Sequence, residues 1–145
     1  MKMNKVNLLL VDDEQVVINT WKKSFDSSVY EITEAKSGAD ALEFVKKLKE
    51  KDKNARLVVL LDVVMPELNG IEVLKRIKTQ FPFSRVYVIT GNVEAADVPD
   101  TAYTTGLYRG DKFFQKAKLD MDSLIKEVEK GIKEMEIQFQ TVNNN

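Results

Sequence analysis

Short apolar runs alternate with amphipathic stretches along most of the chain. These runs are rich in leucine, valine, isoleucine and aromatic residues, and they have the length and composition of β-strands. The run at 56–61 is the strongest, and it has the uninterrupted apolar character of a strand that is buried on both faces. The predicted strands cover residues 5–11, 30–33, 56–61, 85–90 and 112–115.

Between and after these runs, apolar residues recur at the spacing of amphipathic helices. Ser37 is a suitable N-cap for the second helix, Pro82 ends the third, and a long final helix is predicted from about 120 to 140. The residues expected to face the core are Val17, Ile18, Trp21 and Phe25, then Ala41, Leu42, Val45 and Leu48, then Ile71, Leu74 and Ile77, and finally Met121, Ile125, Val128, Ile132, Met135 and Phe139.

The regular alternation of strands and helices is typical of repeated βα units, which build a parallel sheet covered on both faces. The sequence therefore predicts an α/β fold: a flavodoxin-like, doubly wound, five-stranded parallel sheet in the order 2-1-3-4-5 with about five helices. We expect one domain over residues 1–140 and a disordered tail at 141–145.

Polar side chains follow the strands that this order makes neighbours. Asp12 and Asp13 come after the first strand, Asp62 ends the third, Thr90 ends the fourth and Lys116 follows the fifth. In such a fold these positions lie at one edge of the sheet, where ligands bind. Clustered carboxylates need a cation, and carboxylates with a backbone carbonyl and waters suit Mg²⁺. Asp62 is then a candidate nucleophile towards phosphorus.

Each position also has a simpler interpretation. Asp12 or Asp13 could be an N-cap, Asp62 a turn residue, Thr90 the start of a loop and Lys116 one solvated lysine among many. Their coincidence at four adjacent strand ends favours a shared site.

Composition narrows the chemistry. The net charge of −1 predicts no direct binding to nucleic acid or to membranes, and the N-terminus does not have the pattern of a signal peptide, so we expect a cytoplasmic protein. The sequence contains no cysteine and no histidine, which excludes thiolate nucleophiles and imidazole bases from it.

The segments "LLLVDDE", "LVVLLDVVMPELNGIEVLKRIK", "VYVITG" and "KFFQKA" resemble the receiver domain of two-component response regulators over nearly the whole chain. The resemblance implies that Asp62 accepts a phosphoryl group from a phosphohistidine on a partner protein. It implies Mg²⁺ bound by Asp13, Asp62 and the backbone carbonyl of Val64, with Asp12 acting through water. Thr90 and Lys116 would bind the phosphoryl oxygens.

The resemblance also implies partners and a switch. A sensor histidine kinase or histidine phosphotransfer protein would be the donor, and a downstream protein or output domain would read the result. Thr90 and Phe113 would be the switch pair that remodels the surface of the family's fourth helix, fifth strand and fifth helix, although Phe113 could equally be a core residue. We expect a signalling domain that assists its own phosphorylation and dephosphorylation, not an enzyme acting on other substrates.

Two features depart from the family pattern. Ala117 stands where a proline usually follows the lysine, which leaves the position of the Lys116 ammonium less fixed. The segment between Thr90 and Lys116 is longer than usual and poor in helix formers, so a short or irregular fourth helix in a mobile loop is predicted. Val64 and Asn92 would border the path of the water that attacks the phosphoryl group.

Three alternatives stay open from sequence. The apolar seam of the last helix predicts packing on the sheet, but beyond Gly131 it could also pair two chains into a homodimer. The chain could be a receiver-like interaction module that is never phosphorylated. It could also be a Mg²⁺-dependent phosphohydrolase, although Val64 stands where such enzymes commonly carry a second aspartate.

Overall fold

The computed structural model describes residues 4–63, 69–90 and 111–143, apart from the side chain of Thr90. The strands are β1 (Val6–Val11), β2 (Tyr30–Ala35), β3 (Leu57–Asp62), β4 (Arg85–Thr90) and β5 (Lys112–Gln115). The helices are α1 (Gln15–Ser24), α2 (Gly38–Lys51), α3 (Gly70–Gln80) and α4 (Met121–Asn143), with one 3₁₀ turn at Lys116–Lys118. The predicted irregular helix between β4 and β5 lies outside the described residues.

The five strands form one parallel sheet in the order β2-β1-β3-β4-β5, as predicted. Val11 lies opposite both Ala35 and Leu61, and Asp62 lies opposite Ile89. The carboxyl ends of β1, β3 and β4 are therefore level with one another, so that side chains following these strands meet at one edge.

Two apolar layers cover the sheet because successive strand residues point to opposite faces. One layer joins α2 and α3 to residues such as Leu9, Val59 and Val88. The other joins α1 and α4 to residues such as Leu8 and Leu60. All six residues of β3 are buried, which agrees with its uninterrupted apolar sequence.

Local signals fix where two of the helices begin. Ser37 Oγ accepts a hydrogen bond from the Asp40 N–H at 3.0 Å, and Asn69 Oδ1 accepts one from the Glu72 N–H at 3.1 Å. Such N-caps satisfy donors that have no partner within the helix, and each contributes about 1 kcal/mol. The predicted cap at Ser37 is confirmed.

Three details of the sequence prediction are wrong. Ile71 is 41% exposed, and Val73 takes its place in the core beside Leu74 and Ile77. The helix that starts at Gly70 sets its buried face by its contact with α2 and the sheet, which the apolar spacing alone did not resolve. Strand β2 extends to Ala35, and α4 continues to Asn143, so that residues 141–143 are helical and not a disordered tail.

The apolar seam of α4 packs on the sheet within the same chain. Val128 and Met135 are fully buried, and Phe139 makes an edge-to-face contact with Phe83, with ring centroids 5.2 Å apart. Leu124 and Gly131 are also buried in this contact, although the sequence pattern did not select them. Because the second half of the seam is used internally, it gives no support to pairing between chains.

Polar contacts also hold α4 in place along its length. The hydroxyl of Tyr87 donates a hydrogen bond to the backbone carbonyl of Glu127 at 2.9 Å, and Arg85 donates one to Gln138 Oε1 at 2.8 Å. Arg56 forms an ion pair with Glu136 at 2.5 Å. In the parts of the chain that the structure describes, no helix has both the length and the apolar content needed to cross a lipid bilayer.

Burial of Tyr87 makes the stability of the fold sensitive to alkaline pH. Burial, and the neighbouring Asp111 carboxylate, raise the pKa of Tyr87 above the usual value of 10.0. A raised folded-state pKa contributes stability below about pH 10, where the unfolded tyrosine begins to ionise, and this contribution is lost as the pH rises further.

We therefore expect the difference in stability between Tyr87→Phe and the parent protein to become smaller above pH 10, because only the parent loses the contribution of Tyr87. At pH 7 the variant should be less stable by about 1 kcal/mol, because the hydrogen bond to Glu127 is lost. Urea unfolding at pH 7 to 11, followed by the fluorescence of the single tryptophan, Trp21, measures the stability difference at pH 7 and its change with pH. A difference that stays constant over this range would contradict the prediction.

Candidate functional site

Three aspartates meet at the carboxyl edge of the sheet, as the sequence predicts. Asp62 is the last residue of β3 and is 2% exposed, Asp12 follows β1 directly and is fully buried, and Asp13 is exposed. Each offers one carboxylate oxygen, and these three oxygens lie within 4.8 Å of one another. This proximity follows from the register, in which Val11 and Leu61 are opposite each other.

The ammonium group of Lys116 lies between two of these carboxylates. Its Nζ is 3.0 Å from Asp62 Oδ2 and 2.8 Å from Asp12 Oδ2, and the lysine side chain is 20% exposed. Lys116 begins the 3₁₀ turn after β5, where the Leu119 N–H bonds to the Lys116 carbonyl at 3.3 Å. The predicted association of this lysine with the aspartates is therefore present, although alanine follows it.

Asp12 combines a local and a long-range role. Its Oδ1 accepts a hydrogen bond from the Glu14 N–H at 2.8 Å, at the start of α1. Its Oδ2 forms the ion pair with Lys116 but no aligned hydrogen bond. The simpler interpretation of Asp12 as the N-cap of α1 is wrong, because Glu14 occupies that position. One oxygen of Asp12 instead orders the chain just before the helix, while the other oxygen faces the cation.

The site contains more carboxylates than positively charged groups. Burial by itself would lower the pKa of Lys116, but the attraction of its ammonium to the carboxylates of Asp12 and Asp62 outweighs burial and raises that pKa. The lysine is therefore protonated at neutral pH. The single ammonium of Lys116 does not balance the carboxylates of Asp12, Asp13 and Asp62, and this excess of negative charge favours a further cation.

The donor set fits a hard divalent ion. The available ligands are carboxylate oxygens, which Mg²⁺ and Ca²⁺ prefer, and the buried Asp12 Oδ2 accepts no aligned hydrogen bond, although the Lys116 ammonium lies 2.8 Å away. Asp12, Asp13 and Asp62 are the residues that could hold such an ion. Val64, whose carbonyl was predicted as a ligand, lies outside the described residues.

The two predicted switch residues lie on neighbouring strands beside the site. The backbone of Thr90 pairs with Gln115, the residue before Lys116, while the Thr90 side chain lies outside the description. Phe113 lies opposite Val88, is partly buried, and packs against the core layer of α2 and α3. This placement agrees with both interpretations of Phe113, as a switch residue and as a core residue.

Sequence reasoning missed one residue of the site, Glu14. Its Oε1 lies 3.8 Å from Lys116 Nζ, so that Lys116 interacts with three carboxylates. The run "DDE" shows that an acid follows the pair, but only the fold reveals that its side chain reaches the lysine.

Comparison with known proteins agrees with this architecture. The family model described as the response regulator receiver domain matches residues 8–129. The alkaline phosphatase synthesis transcriptional regulatory protein PhoP of Bacillus subtilis (strain 168) is 30% identical over 95 residues, which are 66% of this chain and 37% of that protein.

Solved structures show the same fold. NtrX from Brucella abortus superimposes with a TM-score of 0.77 at 22% identity, over 98% of this chain and 30% of NtrX. A CheY-like receiver domain protein from Methanospirillum hungatei JF-1 gives a TM-score of 0.71 at 19% identity, over 93% of this chain and 99% of that one.

The chain thus spans about a third of PhoP and of NtrX but nearly all of the single receiver domain from Methanospirillum. The family match covers most of the sequence, including Asp12, Asp13, Asp62 and Lys116. This protein belongs to the response regulator receiver domain family.

Proposed function

We propose that this chain is the phosphoacceptor of a two-component signalling system, with Asp62 taking a phosphoryl group from a phosphohistidine in the presence of Mg²⁺. The observation that carries the proposal is the position of the Lys116 ammonium, within 3.0 Å of Asp62 and 2.8 Å of Asp12 at the ligand-binding edge of the sheet. Because this sequence contains no histidine, the donor lies outside it, on a sensor kinase or a histidine phosphotransfer protein.

The proposed reaction moves one phosphoryl group between two side chains. A carboxylate oxygen of Asp62 attacks phosphorus while the bond from phosphorus to the imidazole nitrogen breaks. The bonding electrons stay on the imidazole, which then takes up a proton, and Asp62 becomes an acyl phosphate. In such a loose transition state, catalysis depends on positioning and on the charges around the phosphoryl oxygens.

The residues of this chain supply both requirements. The backbone of β3 holds Asp62 at the sheet edge, and Lys116 is ready to donate hydrogen bonds to the incoming oxygens. Asp13, Asp62 and Asp12 would hold Mg²⁺, which supplies positive charge that offsets the charge of the phosphoryl oxygens. The Thr90 hydroxyl would be a further donor, and the carbonyl of Val64 a further ligand.

Output would follow from the strands next to the site. A phosphoryl group on Asp62 adds charge and acceptor oxygens beside Thr90, and a movement of Thr90 would change the space available to Phe113 on β5. The changed surface would be read by a downstream protein or by an output domain, as the larger size of PhoP and NtrX suggests. We place this exchange in the cytoplasm.

Incubation with acetyl phosphate tests the proposal. With Mg²⁺, intact-mass measurement should show one added phosphoryl group, and hydroxylamine should remove it because it is an acyl phosphate. With a chelator in place of Mg²⁺, uptake should fall by at least about tenfold, since the three carboxylates then repel the donor.

The same experiment separates the alternatives. Absence of uptake with both acetyl phosphate and beryllofluoride would overturn the proposal and favour an interaction module that is not phosphorylated. Repeated turnover of a simple phosphate ester, without a lasting adduct, would overturn it in favour of a phosphohydrolase.

A further inference from the structure

We propose that Glu14 is a positioning residue that competes with the phosphoryl group for the Lys116 ammonium and thereby slows phosphoryl uptake. This inference rests on the proposed function and adds a control element to the same site. It assigns a role to the third acid of "DDE", which lies beside the aspartate pair.

The side chain of Glu14 is not used by its own helix. Glu14 occupies the N-cap position of α1, but its side chain makes no capping hydrogen bond there. The local order comes instead from the backbone N–H of Glu14, which donates to Asp12 Oδ1 at 2.8 Å. The carboxylate is free of any capping role, and its Oε1 lies 3.8 Å from Lys116 Nζ.

The three acids around Lys116 differ in exposure. Asp12 and Asp62 are buried, whereas the Glu14 side chain is 66% exposed. Glu14 is therefore the carboxylate of this group that an approaching donor meets from solvent. An anionic phosphoryl donor is repelled by it, and the ammonium that must turn to the donor is attracted to it.

The turn after β5 makes this competition effective. Because Ala117 follows Lys116, no proline ring restricts the backbone beyond the lysine, and the lysine enters a single 3₁₀ turn. The position of the ammonium therefore depends strongly on the carboxylates around it. Removing one of these charges changes how readily Lys116 reaches the phosphoryl oxygens.

Charge variants of Glu14 test the inference through the rate of uptake from acetyl phosphate at saturating Mg²⁺. Glu14→Gln should raise the rate about two- to fivefold, the size expected for an exposed ion pair. Glu14→Lys should raise it further, and Glu14→Asp, which keeps the charge, should stay closest to the parent. The gain should shrink in about 1 M salt, because the screening length falls to about 3 Å.

The matched control is Glu43→Gln. Glu43 lies on α2, its side chain is 61% exposed, and it pairs with Lys47 at 3.4 Å, so that the substitution removes the same charge from a comparable ion pair. It should leave the rate unchanged. Calorimetric titration with Mg²⁺ gives a second measurement that does not depend on phosphorylation: Glu14→Gln should weaken binding about twofold, because one nearby negative charge is lost.

The role of Glu14 would be overturned if Glu14→Gln took up the phosphoryl group at the same rate as Glu43→Gln, or more slowly than this control, at saturating Mg²⁺. The proposed function would then remain in place. A gain that is insensitive to salt would also overturn it, because a competition between charges must be screened. Failure of the parent protein itself to take up a phosphoryl group would overturn the proposed function, and the role of Glu14 with it.

Discussion

Asp62→Asn is expected to abolish phosphoryl uptake while leaving the fold intact. The amide has nearly the shape of the carboxylate, so the packing around this 2% exposed side chain is kept, but the nucleophilic oxygen is lost. The variant loses the attraction between Asp62 and Lys116 and also the repulsion between Asp62 and the neighbouring aspartates. We therefore expect its free energy of unfolding to change by no more than about 1–2 kcal/mol.

Two measurements check this result together. Intact mass after treatment with acetyl phosphate and Mg²⁺ reports uptake, and urea unfolding followed by Trp21 reports the fold. The control is Asp122→Asn, the same chemical change at an exposed position in the first turn of α4, which should behave like the parent. Retention of a hydroxylamine-sensitive adduct by Asp62→Asn at the parental rate would show that another residue is the acceptor.

Gly131→Ala is expected to destabilise the protein by about 2–3 kcal/mol, although alanine is the better helix former. A Cβ atom at position 131 would lie 2.1 Å from the hydroxyl oxygen of Tyr87, far inside contact distance. That hydroxyl cannot move aside at little cost, because Tyr87 is 2% exposed and hydrogen-bonded to the carbonyl of Glu127. Overpacking of this kind outweighs the gain of about 1 kcal/mol in helix propensity.

The double variant makes the prediction specific. In a Tyr87→Phe background the same Cβ would meet the ring carbon Cζ at 3.4 Å and Arg85 Cγ at 3.2 Å, which small shifts can accommodate. Gly131→Ala should then be neutral, or stabilising by up to about 1 kcal/mol through helix propensity. Urea unfolding of the parent, both single variants and the double variant gives the coupling energy.

An equal loss of stability from Gly131→Ala in both backgrounds would contradict this explanation. It would mean that the glycine is required by the backbone of α4, and not by the close approach of the helix to β4. Ile137, exposed on the same helix, is the control position, and Ile137→Ala should change stability by less than about 0.5 kcal/mol.

The pattern of the sequence was sufficient for the sheet and for the aspartates of the site. Whether a segment forms a strand or a helix depends on residues that are close to one another in the sequence. The uninterrupted apolar run before Asp62 indicates a buried strand. The alternation of the elements then restricts the strand order, which brings the ends of β1, β3 and β5 together. Asp12, Asp13, Asp62 and Lys116 could therefore be selected without coordinates.

The boundaries and faces of single elements were less accessible. Ile71 has helical spacing from Leu74 but is exposed, and Val73 is buried instead. Apolar spacing gives a stripe about a hundred degrees wide, and only the neighbouring helix and sheet determine which edge of that stripe is covered. The apolar seam of α4 was likewise compatible with packing on the sheet or with pairing to a second chain, and in the structure it packs on the sheet of the same chain.

What the sequence by itself determined is the order of the elements and the chemical groups at the strand ends, because both follow from local periodicity and from the rule that parallel strands end together. The tertiary structure alone decided that Glu14 reaches Lys116 and that Gly131 lies against Tyr87. Such contacts join residues far apart in the chain, and they depend on the distance and angle at which a helix or turn packs on the sheet, which no local pattern encodes.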